Sequence, residues 1–128
     1  MTMKDLAEFS NRGKKLISFF DKAGHNGTLT LGENIGDLVG LTFAQRAAFG
    51  DVRPSRDDQK KLFVAYARLW CNVSRPKSDE QQLKTNPHSL GWARINEQVK
   101  QQKSFADAFQ CQSSDAMYLP EPEQVKIW

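Results

Sequence analysis

A chain of 128 residues, 26% charged and 39% hydrophobic with 8 Phe and 3 Trp, has the size and composition of one globular domain, which excludes a disordered segment. Its net charge of +3, on 18 basic and 15 acidic residues, leaves no footprint for a nucleic-acid partner, and its apolar runs are too short to span a membrane. Two Cys and two His exclude a disulfide framework and leave few soft metal ligands. The opening Met1-Thr2-Met3-Lys4-Asp5 leads into no apolar stretch, so the chain as given is expected to carry no export signal.

Helical periodicity dominates the rest. Leu6, Phe9, Leu16, Ile17 and Phe20 recur at helix spacing and predict a first helix over residues 5–20, weakened in its middle by Gly13. Residues 21–28 hold two glycines and an Asn-Gly pair and read as a turn, with His25 exposed to solvent. A second helix is predicted over 31–49, closed by Gly50, and a third over 57–72, with Leu62, Phe63, Tyr66, Leu69 and Trp70 as its stripe and Ser55 or Asp57 as cap. Ser78 and Gln81 have capping-box spacing and predict a short helix over 78–84. Residues 85–94 read as an ordered loop punctuated by Pro87 and Gly91. A further short helix covers 104–109. Pro120 and Pro122 exclude regular structure before residues 125–128, which add as a strand or pack as a plug.

Two constellations bear chemistry. Glu33 and Asp37 lie four apart on the second helix, so their carboxylates share a face, with Gly36 and Gly40 beside them. Two glycines in a helix interior suggest that something approaches the backbone closely there. In one reading Thr30 and Glu33 form a capping box and both acids merely suit the helix N-terminus. In the other Glu33 is a metal ligand and Asp37 its hydrogen-bonding partner, as catalytic zinc sites require. The second constellation is His88 with Arg94 in the Pro- and Gly-bearing loop, either donors to an anionic transition state or a structural His and a surface Arg.

The segment Thr30-Leu31-Gly32-Glu33-Asn34-Ile35-Gly36-Asp37 resembles the T-L-G-E-N-I-A-D segment of the neprilysin and endothelin-converting-enzyme family. Leu62-Phe63 through Trp70-Cys71, then Arg75-Pro76, is similar to that family's L-F-F…W-C…R-P helix and exit. Thr85 through Gly91 with Arg94 resembles its T-D-x-H-x-P-G…R loop, and Phe105, Phe109 and Val125-Lys126-Ile127-Trp128 resemble its closing segment. The resemblance covers residues 30–128 and extends plausibly to the first helix. It implies a mainly α fold, the helical C-terminal subdomain of a thermolysin-like metallopeptidase catalytic domain, with residues 1–128 forming a single domain.

The resemblance also implies roles. Glu33 would be the third zinc ligand and Asp37 would orient a zinc-ligating His. His88 would stabilise the oxyanion, and Arg94 would hold the substrate and the Asp37 side of the site. Zinc would be the cofactor, a peptide the substrate, and the rest of the peptidase chain the partner. No H-E-x-x-H occurs in the sequence, so two zinc ligands and the general base are missing. The family's Asn-Ala substrate-binding strand is missing too, and Leu90 stands where the family has Pro. The chain therefore reads as a C-terminal piece of a zinc metalloendopeptidase, inert and zinc-free by itself. In secreted relatives the positions of Cys71 and Cys111 bond to cysteines outside this segment, which implies an extracellular or periplasmic parent, and Ile127-Trp128 without the Cys that animal members carry near their end implies a bacterial type. A non-catalytic helical interaction domain is the alternative.

Overall fold

The computed structural model describes residues 2–127, and among them the chain forms six α-helices, one 3-10 turn and no strand. In chain order these are α1 (Met3–Lys22), α2 (Leu31–Phe49), α3 (Arg56–Trp70), α4 (Pro76–Thr85), α5 (Gly91–Val99) and α6 (Lys103–Phe109), then the turn Glu121–Glu123. No described helix is long and apolar enough to cross a membrane. The expected mainly α fold is what the chain adopts.

Caps explain most boundaries. Thr2 and Asp5 form a reciprocal capping box at the start of α1, two residues before the predicted start. Gly13 leaves α1 unbroken and lies buried, where a Cβ would touch Leu31 at 3.6 Å. Ser55 caps α3 by accepting the Asp58 N–H at 3.1 Å. In α4 the sequence reading needs correction. Pro76 occupies the first turn, where its missing N–H costs nothing, so the helix starts before Ser78 and Ser78 is not a cap.

Two elements depart further from expectation. Residues 91–99 are helix α5 rather than the second half of a loop, so Arg94 sits on a helix. Its buried side carries Ala93, Glu97, Gln98 and Val99, and two polar side chains in the stripe hide the periodicity from a hydrophobicity reading. Thr30 and Glu33 form no capping box: the Thr30 hydroxyl donates to the Asn26 carbonyl at 3.0 Å and caps nothing.

Helices α2 and α5 form the centre. Leu38 and Ala93 join Leu16 and Phe20 of α1 in one apolar cluster, and Leu41 and Val99 join Phe63 of α3 in a second, bordered by Phe105 and Met117. The C-terminal segment closes the first cluster as a plug, with Val125 and Ile127 buried. Its backbone is tied by Gln101, which accepts the Val125 N–H at 2.8 Å, and by Arg12, which donates to the Ile127 carbonyl at 2.9 Å. Trp128 lies outside the described residues.

Candidate functional site

The α2 helix presents two faces. Asn34, Leu38 and Leu41 point into the core, while Gly32, Glu33, Gly36 and Gly40 face outward. A Cβ on Gly32, Gly36 or Gly40 would meet nothing within 4 Å. The close approach inferred for those glycines is thus made by nothing within the described chain. The result is a bare strip of helix with a carboxylate at one end.

Opposite this strip stands the loop between α4 and α5. Asn86 folds it by accepting the His88 backbone N–H at 2.8 Å through its side-chain oxygen, a turn that Pro87 stiffens. Gln82 of α4 donates to the carbonyls of both His88 and Ser89 at 3.2 Å. The loop is thereby held at the right height to bring His88 Nε2 within 3.3 Å of Glu33 Oε2, while Nδ1 lies 3.0 Å from Asn86 Oδ1. Both partners stay open to solvent, with side chains 46% and 47% exposed.

One turn along α2, Asp37 accepts two hydrogen bonds from the Arg94 fork, from Nε at 2.7 Å and Nη2 at 2.8 Å. These side chains are only 10% and 13% exposed, in contrast to the Glu33–His88 pair. The hydrogen bonds to Asp37 raise the Arg94 pKa beyond its already high ordinary value, against the opposing effect of burial. The guanidinium lies 3.5 Å from the centre of the Trp70 ring, a cation–π contact that fixes its plane. Tyr66 donates its hydroxyl to the Arg94 carbonyl at 2.9 Å, and burial raises the phenol's pKa. All four expected residues therefore meet on one surface, the Asp37–Arg94 ion pair beside the Glu33–His88 contact.

Sequence reasoning missed the residues that lock the two halves. Asn34, 1% exposed, donates to the Thr30 hydroxyl at 2.9 Å and accepts the Ser89 hydroxyl at 2.9 Å, and its carbonyl accepts from Gln98 at 2.9 Å. A polar residue in register with the Leu38 and Leu41 stripe was the available signal. His25 also requires correction. It is buried, with Phe20 and Trp92 edge-on to its ring, because the turn folds inward onto α5.

A groove of about 260 Å³ runs beside His88 and Arg94, walled by Leu69, Trp70, Asn72 and Ser89. Leu69, on its wall, is exposed. Among the described residues no group of three His, Cys, Asp or Glu side chains could hold a metal ion. Cys71 is exposed and Cys111 partly exposed. Both are unbonded.

The model of peptidase family M13 matches residues 1–125. Neutral endopeptidase of Lactobacillus helveticus is 34% identical over 132 residues, covering 99% of this chain and 20% of the relative. Neprilysin of Mus musculus is 33% identical, covering 80% of this chain and 15% of the relative. Endothelin-converting enzyme 1 of Homo sapiens is 31% identical, with coverage of 80% and 14%. This chain thus spans a fifth or less of the length of these relatives. No solved structure matches it significantly.

Proposed function

Because the chain belongs to peptidase family M13, we propose that it is the C-terminal part of a zinc metalloendopeptidase that hydrolyses peptide bonds in oligopeptides. The observation that carries this reading is the pairing of Glu33 with His88 and of Asp37 with Arg94 beside a bare glycine strip. Glu33 fits one ligand position of a zinc site: its carboxylate is solvent-accessible, on a rigid helix, with open space on the glycine side. Zinc bound there would act as a Lewis acid on water and on the peptide carbonyl. The remaining ligands and the general base would come from a helix packed on the strip of Gly32, Gly36 and Gly40.

His88 is the electrostatic donor. Its ring projects from a loop braced by Asn86 and Gln82, so that Nε2, released from its 3.3 Å contact with Glu33, would meet negative charge developing on a substrate oxygen. Arg94 positions. The Asp37 fork and the Trp70 ring leave it few rotamers, and it lines the groove, where its guanidinium would hold a substrate carbonyl. Asp37 keeps lone pairs beyond the two that Arg94 uses, enough to orient a neighbouring imidazole. By itself the chain lacks the base and two ligands, so it is inert. Cys71 and Cys111 stand where an exported parent, extracellular or periplasmic, would bond them to its remaining part.

The test is peptide hydrolysis by the longer polypeptide carrying His88→Ala. Loss of one such donor is expected to lower kcat by about 10²–10³-fold with zinc retained. An unchanged rate would refute the reading and favour a non-catalytic helical domain.

A further inference from the structure

The turn before α2 contains a histidine whose two ring nitrogens are both committed. His25 Nδ1 lies 3.0 Å from the Ala23 carbonyl oxygen, and Nε2 lies 3.0 Å from the Leu90 backbone nitrogen. A carbonyl can only accept and an amide N–H can only donate. The partners therefore dictate the ring's state: Nδ1 carries the proton and Nε2 presents its lone pair. Leu90 is both the residue from which α5 starts and the second residue after His88. This bond ties the turn to the loop across 65 positions of sequence.

We propose that His25 is a positioning residue acting as a proton-sensitive latch: its neutral ring holds the His88 loop by accepting the Leu90 N–H, and a second ring proton releases it. With both nitrogens protonated, Nε2–H would point at Leu90 N–H, donor against donor. The buried amide would lose its partner, which the fold tolerates poorly. The loop would then be held by the Gln82 and Asn34 hydrogen bonds alone, and the register of His88 with Glu33 would loosen.

The surroundings set the direction of the switch. From α1, Phe20 presents its edge, and Asp21 is spent on the Gly27 N–H at 2.8 Å. From α5, Trp92 closes the other side, and Glu97 is the carboxylate that acts on the ring, itself paired with Lys100 at 2.7 Å. Burial pushes the His25 pKa below its ordinary 6.5, against the Ala23 carbonyl and Glu97, which act the other way. The latch is therefore closed at neutral pH and opens only on acidification below 6.5. The unfolded chain takes up this proton first as pH falls, so the contribution of His25 to stability is present above 6.5 and lost below it.

That the latch governs turnover rests on the peptidase reading. The latch itself is read from amide exchange, so either can fail without the other. The experiment is NMR on the ¹⁵N-labelled chain across acid to neutral pH, following the ring nitrogens of His25 and His88 and the exchange of the Leu90 and Leu41 amides. The expected result is an Nδ1–H ring for His25 with its midpoint below 6.5. Leu90 protection should fall on the order of tenfold or more with that same midpoint while Leu41 stays protected. In His88→Ala the Leu90 transition should persist, and in His25→Gln, which keeps an acceptor but no titratable group, it should vanish. If His25→Gln fails to fold, the wild-type and His88→Ala spectra decide the matter. A His25 midpoint at or above 6.5, Leu90 protection that ignores it or follows His88, or simultaneous loss at Leu41 would overturn the latch.

Discussion

Replacing Asn34 by alanine is expected to cost this chain about 3–4 kcal/mol. The side chain makes two buried hydrogen bonds, to the Thr30 and Ser89 hydroxyls, each worth about 1 kcal/mol net. Ser89, 1% exposed, is then left with a buried hydroxyl and no acceptor, which adds about 1–2 kcal/mol. The backbone bond from Gln98 survives, because it uses the Asn34 carbonyl. A domain of this size has only about 5–15 kcal/mol to lose, so the shift in a urea unfolding midpoint should be large. A double-mutant cycle sharpens the test. Removing both partners orphans neither and the shared bond is then lost only once, so Asn34→Ala with Ser89→Ala should cost at least about 2–3 kcal/mol less than the sum of the single changes. A loss under about 1 kcal/mol for Asn34→Ala, or no coupling to Ser89, would refute the claim that this bond locks α2 to the His88 loop.

Asp37→Asn should destabilise by about 2–4 kcal/mol in urea titration, because it leaves a largely buried guanidinium without its counter-charge. Arg94→Lys should come close to the same loss, since an ammonium can neither fork onto the carboxylate nor stack on Trp70. Gly91→Ala should lower the melting temperature markedly, because its Cβ would sit 2.4 Å from the Trp70 carbonyl oxygen. Gly36→Ala should instead stabilise this chain by about 0.5–1 kcal/mol, since the new methyl meets open space and favours the helix. Calorimetric titration of zinc into the chain at neutral pH should show no stoichiometric submicromolar binding, because no three donor side chains come together among the described residues.

What the sequence revealed was what hydrophobic spacing and order encode. The stripes of α1 and α3 follow a 3.6-residue period, and the ordered motifs from Thr30 to Arg94 placed Glu33, Asp37, His88 and Arg94 together before any fold was known. What escaped was polar burial. Helix α5 was invisible because Glu97 and Gln98 occupy its inner face, and Asn34 and Ser89 carry no hydrophobic signal although they join the two halves of the site. His25 was misjudged for the same reason. Turn composition around it says solvent, whereas tertiary packing against Phe20 and Trp92 says core. The T-x-x-E and S-x-x-Q spacings at Thr30 and Ser78 make no capping boxes, because the Thr30 hydroxyl turns back to the Asn26 carbonyl and Pro76 begins α4 before Ser78.

Zinc content by elemental analysis of the longer polypeptide, with Glu33→Ala and His88→Ala compared against the unaltered protein, tests the central assignment most directly. A ligand holds the metal, whereas a donor to developing charge does not. Glu33→Ala should lose its zinc, and His88→Ala should keep it at the unaltered stoichiometry. Zinc retained in Glu33→Ala, or lost from His88→Ala as readily as from Glu33→Ala, would contradict the roles assigned to this pair.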